Sequence, residues 1–498
     1  MDRRKNILFL FSDQHRGDWM PYDRETCNEL KTDALPLGMP NIRNLMDNGV
    51  TFTHNASNSP LCVPARACLA SGLHYDHCRV YNNDYCYPLS QRTFYSVLKN
   101  AGYNVCGVGK FDLHKPIFFW DKSGWIKQLS TLGFTDAIDS EGKYDLLWSS
   151  FYTPRGPYAY FLTENRLFEE HARDYVIRYL NSNEVRPTPL PAYAYSDNWV
   201  ADNAVEKLKK LTADRKPWFL MVNFPGPHNP WDVTGEMRDR WKDVKFPIPD
   251  DYLGNPDELN AIRQNYAAMI ENIDSNIGLL MKELEKTGEL ENTIIIYAAD
   301  HGEMMGDRNR FMKSVPYRGA VHIPLVISGP DVLKGAIRSE LVQLHDIAAT
   351  IVDFAGLSMP EAKDSKSLRS LACDAAAGPV RDYQAVMLYN SLRFGKEYED
   401  YLEYSQYKKL KSDDEYIAEF NKKLGLEVTK NSVGRFEYKS DWKCIITKKY
   451  KLIEFEDADS ELYDLEGDPY EKINIAKVCP PVIDELEQLY PFDGIQNN

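Results

Sequence analysis

The sequence predicts an α/β fold: a large, mostly parallel (mixed) sheet sandwiched by helices, followed by a smaller C-terminal α+β unit with an antiparallel sheet. Three observations carry this. Four short runs are continuously apolar and β-rich, as strands buried on both faces must be. Helical patterns, with apolar residues every three or four positions, alternate with them. After Gly356 the alternation weakens and shorter strand candidates take over.

In chain order, the first strand covers Asn6 to Ser12 and leads into Asp13 and Gln14. Helices are expected over Asn41 to Asn48 and Thr93 to Ala101, and the strand Val105 to Gly109 leads into Lys110. The stretch from about 115 to 200 reads as an insertion, and its tyrosine- and proline-rich part, Tyr144 to Tyr195, as loops and short helices at the mouth of a site. A helix over Asn198 to Thr212 precedes the strand Trp218 to Phe224, which leads through Pro225-Gly226-Pro227 to His228. The long helix from Pro256 to Lys286 keeps Tyr266, Met269, Ile270, Ile273, Ile277, Leu280 and Leu284 on one stripe, and Gly288 suits its C-terminal cap. The strand Thr293 to Ala299 then leads into Asp300 and His301. Open α/β sheets place ligands beyond the carboxyl ends of their strands, so all four polar endings should converge on one crevice.

Residues 1–375 are expected to form this α/β unit and residues 376–498 the second one. Met359 to Asp382 reads as a linker or surface excursion. Beyond it come strand candidates Ala385 to Tyr389, Trp442 to Thr447 and Tyr450 to Phe455. A charged helical insert from about Glu397 to Leu424 and a closing helix from Val482 to Leu489, after Pro480-Pro481, complete the unit. No internal repeat is present.

With 498 residues, 43% hydrophobic and 27% charged, the chain has the composition of a soluble globular protein with a sizeable core, which excludes disorder and collagen. Its 59 basic residues against 74 acids give a net charge of −15, which argues against a non-specific grip on nucleic acid or anionic membrane. An anionic substrate would need a local basic pocket. The only early apolar run, Ile7 to Phe11, is too short for a signal-peptide core or a membrane span, so a cytoplasmic chain is expected, or a periplasmic or secreted one if a signal has been trimmed. Nine cysteines, an odd number with no Cys-x-x-Cys pair, point to reduced thiols rather than a disulfide framework or zinc ribbon.

The most informative stretch is Cys62-Val63-Pro64-Ala65-Arg66 followed by Ala67-Cys68-Leu69-Ala70-Ser71-Gly72. Pro64 suits the first turn of a helix and Gly72 its end, so Cys62 sits at a helix N-terminus, where backbone N–H groups favour an anion. Arg66, one turn on, brings a fork of donors to the same place. A helix-start cysteine alone is usually just a small buried hydrophobe. The pattern Cys-x-Pro-x-Arg with Gly72, however, resembles the signature of the type I sulfatases of the alkaline phosphatase superfamily. The resemblance extends in order through Asn6 to Gln14, Gly109-Lys110, Pro227-His228, Ala299-Asp300-His301-Gly302, Glu461 to Leu465 and Asp468-Pro469.

The resemblance implies an alkaline phosphatase-like fold and hydrolysis of a sulfate monoester, small-molecule or carbohydrate. It implies that Cys62 is oxidised to formylglycine by a maturation enzyme. One hydroxyl of the aldehyde hydrate then attacks sulfur and the other expels sulfate, covalent catalysis with a built-in release step. Asp13, Gln14, Asp300 and His301 match the family's metal positions, completed by residue 62. Such oxygen-rich ligands favour calcium, with manganese brought closer by the imidazole and magnesium also compatible. Lys110 resembles the lysine bridging nucleophile and sulfate, Lys313 the one near the leaving oxygen, and His228 the histidine that protonates the leaving alcohol. Asn83 matches in spacing a substrate-binding asparagine. Where sulfatases commonly read Gly-Lys-x-His, this chain has Gly109-Lys110-Phe111-Asp112-Leu113-His114, so His114, the expected base, stands two positions late and Asp112 is its rival for the site. His322 and Asp346 are read as structural.

Asp13-Gln14 and Asp300-His301, in place of the Asp-Asp and Asp-Asn of many sulfatases, also occur among relatives that include choline sulfatase-like enzymes and phosphonate monoester hydrolases. A phosphonate monoester or phosphodiester hydrolase is therefore the same-fold alternative, against which Lys110 speaks for sulfate. A non-catalytic anion-binding pseudoenzyme is the remote one. Recognition of the alcohol part falls to loops such as Phe151 to Tyr160 and Tyr193 to Trp199, whose aromatic side chains suit stacking on a sugar, enclosing a cationic head group, or simple packing.

Overall fold

The computed structural model describes residues 4–115, 121–149, 155–389 and 441–490. The helical insert expected from Glu397 to Leu424 and the loop residues 151–154 lie outside them.

The four apolar runs become adjacent strands. β1 (Asn6–Asp13), β3 (Asn104–Gly109), β5 (Trp218–Pro227) and β6 (Thr293–Ala299) are buried almost throughout. With β2 (Gly49–Ala56), β4 (Asp136–Asp139), β7 (Leu325–Ser328) and β8 (Ala336–Gln343) they form one eight-stranded sheet, ordered β4-β3-β5-β1-β6-β7-β2-β8. Every neighbouring pair is parallel except those made by β7. The sheet is thus mostly parallel and mixed, as its sequence predicts.

Burial on both faces explains the uninterrupted apolar runs. Along β1, Ile7, Phe9 and Phe11 enter one core layer while Leu8 and Leu10 enter the opposite one. The first layer is closed by the helices Cys62–Ser71, Phe94–Asn100 and Asp346–Phe354, the second by Ser196–Ala213 and Pro256–Thr287. The 32-residue helix Pro256–Thr287 begins where Asn255 accepts the N–H of Asp257 at 2.9 Å, and ends at Gly288 with φ +71°. Its stripe from Tyr266 to Leu284 is fully buried. No described helix is long and apolar enough to cross a membrane.

A second, wholly antiparallel sheet is ordered β12-β11-β10-β9, from β9 (Gln384–Leu388), β10 (Trp442–Ile446), β11 (Tyr450–Phe455) and β12 (Glu461–Asp464). The closing helix is Pro480–Leu489.

Two expectations are corrected. The stretch from 115 to 200 is not an insertion throughout, because β4 joins the main sheet beside β3 and Phe168–Leu180 is a 13-residue helix. Met359 to Asp382 is not a surface excursion: Met359, Ala362, Leu368, Leu371 and Ala372 are buried in the first core layer. The strands β2, β7 and β8 were not evident in the sequence, since β2 carries polar residues, β7 has four residues, and the first half of the edge strand β8 is partly exposed.

Register brings the strand ends level. Ser12 faces Ala299 across β1 and β6, Gly109 faces Asn223 across β3 and β5, and β1 meets β5 at Asp13 and Pro227 after an irregularity. Gly109 has φ +104°, and a Cβ there would lie 2.0 Å from the carbonyl oxygen of Asn223. Only glycine lets β3 approach β5 closely enough to deliver Lys110. Gly109→Ala is expected to lower stability by about 3 kcal/mol, read as an earlier urea midpoint, and to reduce turnover through displacement of Lys110.

Candidate active site

Cys62 opens the helix Cys62–Ser71, whose ten residues are all buried and which ends at Gly72 with φ +68°. No side chain of the preceding Leu61 caps it; instead Asn83 reaches across and accepts the Val63 N–H at 3.1 Å. Asn83 thus anchors the first turn beside residue 62.

Around Cys62 gather the residues from the strand ends. Its sulfur lies 3.3 Å from His301 Nε2, 3.4 Å from Lys313 Nζ and 3.8 Å from Asp13 Oδ1. Asp13, Cys62, Asp300 and His301 are all buried, with one ligand atom from each inside a span of 4.8 Å. His301 Nδ1 donates to the Gly302 carbonyl at 3.0 Å, which leaves Nε2 facing Cys62. Gln14, at φ +72°, takes the group's edge: its N–H donates to Asp300 Oδ1 at 3.0 Å, and its Oε1 accepts from Lys313 Nζ at 2.6 Å. This donor set fits a divalent cation: two carboxylates and an amide oxygen suit a hard ion, and the imidazole is a borderline addition.

Arg66 is 2% exposed and turned inward. Its Nε donates to Asp300 Oδ2 at 2.9 Å and its terminal nitrogens to Asp13 Oδ2 and Asn223 Oδ1, each at 3.4 Å, and to the Lys110 carbonyl. One guanidinium therefore ties the ends of β1, β3, β5 and β6, a closer engagement with carboxylates than its place one turn from Cys62 suggests.

Lys110 is also buried and pairs with Asp13 and, at 3.0 Å, with Asp112. Asp112 in turn lies 3.7 Å from Lys115, which reaches Asp145 at 3.0 Å. His114, by contrast, is buried, and among the described residues no hydrogen bond or ion pair joins it to this group. Of the two, Asp112 is the side chain brought to the site. His228 lies between two cis X-Pro bonds and donates through Nδ1 to the Asn229 carbonyl, while Nε2 makes no hydrogen bond among the described residues; its field comes chiefly from Lys313, Asp13 and Lys110. Gln14, Asp112, Met312 and Ser314 all hold positive φ, so backbone strain concentrates around the lysines and Gln14.

Electrostatics separate Cys62 from its siblings. Burial pushes Cys106 up to about 11 and Cys444 up to about 12. Burial and Asp13 push Cys62 the same way, but Lys110, Lys313 and His301 outweigh them and bring it to about 5. Burial likewise opposes charge on Asp13, yet Lys110, His228, Lys313 and Arg66 hold it well below the usual carboxylate range. Burial, then Lys313 and Lys110, press His228 well below the ordinary histidine value. Burial brings His114 down to about 4.

Residues of the site that the sequence did not single out include Asn223, Lys115, Glu303 and Ser57. Glu303 is fully buried and accepts from the Gln14 side chain. Ser57 donates to the Asp300 carbonyl at 2.5 Å. A charged residue two places after His301 was a legible signal for Glu303; Ser57 had none. His322 donates through Nε2 to the Thr53 carbonyl, and Asp346 accepts from the Gln343 and Lys366 N–H groups, so both serve the fold. Of the aromatic residues expected at the mouth, Tyr158, Tyr195 and Trp199 are instead buried in the second core layer, where Tyr158 donates to the Ala194 carbonyl at 2.6 Å, while Tyr193 is 54% exposed.

Comparison with known proteins agrees with this arrangement. The family model described as Sulfatase matches residues 5–357. The chain is 27% identical over 426 residues to an arylsulfatase of Clostridium perfringens, covering 80% of this chain and 84% of that protein. It is 27% identical over 389 residues to a choline-sulfatase of Rhizobium meliloti, covering 72% and 69%. The solved structure of a phosphonate monoester hydrolase from Silicibacter pomeroyi superposes with a TM-score of 0.72 at 21% identity, covering 98% of this chain and 94% of that one.

Two outcomes follow from the geometry. Arg66→Ala leaves Asp13 and Asp300 short of their buried counter-charge and is expected to cost about 3–5 kcal/mol of stability in a denaturant titration. In cation-free protein retaining Cys62 as cysteine, the thiolate absorbance near 240 nm should persist through neutral pH and fall with a midpoint of about 5 as acid protonates the sulfur. Cys62→Ser should lack that transition.

Proposed function

Because the chain belongs to the sulfatase family of sulfuric ester hydrolases, we propose that it hydrolyses the sulfate monoester of a small molecule or carbohydrate through a formylglycine made from Cys62. A single divalent cation, calcium before manganese or magnesium, would be held by Asp13, Gln14, Asp300, His301 and residue 62. The observation that carries this reading is the position of Cys62: first residue of a buried helix, inside the Asp13, Asp300 and His301 group, and 3.4 Å from Lys313. A structural cysteine needs none of those neighbours.

When bound, the cation supplies charge for the sulfate oxygens and orients the nucleophile. The hydrated aldehyde supplies one hydroxyl to attack sulfur and a second to expel sulfate. The remaining work falls to the protein's own groups. Helix N–H groups together with Lys110 and Lys313 stabilise negative charge where the sulfate sits, in a chain that is otherwise net acidic. Arg66 and Asp112 keep Asp13 and Lys110 oriented. His228, its Nδ1 fixed, has Nε2 to give a proton to the departing alcohol. Burial is the largest cause of the depressed His228 value, and an anion seated against the lysines offsets their part of it, which moves the histidine toward its acid form.

A second reading, a phosphonate monoester or phosphodiester hydrolase, is favoured by Gln14 and His301 in the cation group. The specificity constants for an aryl sulfate and an aryl phosphonate, measured on one cation-loaded preparation, decide between them, and the sulfate is expected to prevail.

Peptide mass spectrometry of protein co-expressed with a maturation enzyme should find an aldehyde at position 62. Cys62→Ala should lower sulfate-ester turnover on the order of 10³-fold or more, and a variant with undiminished turnover would end the proposal. Chelation should abolish activity and lower the melting temperature, both restored by calcium or manganese.

A further inference from the structure

We infer that Glu303 is a positioning residue that sets which end of the Gln14 amide faces the cation group. The inference rests on the reading of Gln14 as a ligand in the proposed centre. Glu303 is fully buried in the segment following His301. One carboxylate oxygen, Oε1, accepts the backbone N–H groups of Met305, at 3.2 Å, and Met312; the other, Oε2, accepts Gln14 Nε2. All three partners are donors, so the position requires a group that only accepts.

The consequence for Gln14 is directional. With Nε2 committed to Glu303, Oε1 points the opposite way, to Lys313 Nζ at 2.6 Å, and that same nitrogen lies 3.4 Å from the sulfur of Cys62. The oxygen end of the amide is therefore the end presented to the site. Glu303 fixes the second partner as well: its hold on Met312 pins the residue preceding Lys313, and the Met304 N–H donates to the Met312 carbonyl at 2.9 Å across the same turn. Both neighbours of Lys313 carry positive φ, at 70° and 73°, so that turn is held in a conformation its residues do not adopt freely.

Replacing Glu303 by glutamine keeps the shape and exchanges one acceptor for an NH₂ donor. The remaining oxygen is claimed by the two backbone N–H groups, so the NH₂ faces Gln14, whose amide must turn its oxygen toward position 303. Its NH₂ then faces Lys313 and the cation, where no donor is accommodated. If position 14 is made glutamate at the same time, a carboxylate accepts from the new NH₂ and still offers an oxygen to the cation, with the summed charge unchanged.

The test is a double-mutant cycle read by calorimetric titration of calcium and of manganese into cation-free protein, with melting temperatures recorded in parallel. Glu303→Gln in the parent chain is expected to weaken cation binding by roughly 10–100-fold. The same Glu303→Gln change made in a Gln14→Glu background is expected to strengthen it, because it inserts a donor between two facing carboxylates. A role in folding alone would move both backgrounds in one direction, so changes of the same sign, or no change in either, would overturn the inference. Should E303Q alone not fold, the comparison of Q14E with Q14E/E303Q decides, and a double variant that is unfolded or binds no better than Q14E counts against it. A parent protein that binds neither ion would instead overturn the cation centre itself, and this inference with it.

Discussion

The buried guanidinium of Arg66 is the interaction on which the site depends. Its nitrogens reach Asp13, Asp300, Asn223 and the Lys110 carbonyl, groups at the carboxyl ends of four adjacent strands. Two carboxylates at zero exposure would be costly to desolvate without it. With it, and with Lys110 on Asp13, the charges offset one another and the planar fork fixes their directions. The strand order decides that these ends are neighbours, and the helix Cys62–Ser71 carries both the arginine that clamps them and the cysteine they surround.

That clamp also explains how a chain of net charge −15 can receive an anion. Lys110 and Lys313 are brought to a buried thiol whose helix contributes its N-terminal field. The effect is visible within one residue type. For Cys106 and Cys444 burial is the largest influence and they become poorer acids, whereas Cys62, also buried, becomes a stronger one because Lys110, Lys313 and His301 outweigh burial and Asp13. Local charge arrangement, and not composition, sets the chemistry of the position.

Around the reacting groups runs a layer of supporting contacts. Asn83 completes the first turn of the helix at residue 62, Ser57 supports Asp300, Asp112 links Lys110 to Lys115, and Glu303 holds Gln14 and the turn before Lys313. Each contributes hydrogen-bond or charge complementarity that a group at zero or low exposure cannot obtain from water. Gln14 and Met312, both at positive φ, are among the residues these contacts hold.

Much of this architecture was legible in the chain itself. Strands buried on both faces must be apolar throughout, so β1, β3, β5 and β6 stood out, and the rule that open α/β sheets place their sites at strand carboxyl ends assembled Asp13, Lys110, His228, Asp300 and His301 before any contact was known. The 3.6-residue period and its caps likewise located the helix Pro256–Thr287 to within a residue. The polar β2, the short β7 and the half-exposed edge strand β8 lacked those signals, because their places are decided by neighbours distant in sequence. The same holds at the site. That Asp112 and not His114 meets Lys110, that Arg66 turns inward, and that Glu303 faces Gln14 are facts of through-space contact; Glu303 and Gln14 are 289 positions apart, and nothing in local sequence encodes a distance across a folded core. Residue type and spacing determined which chemistry the chain could carry, and packing alone decided which side chain holds which.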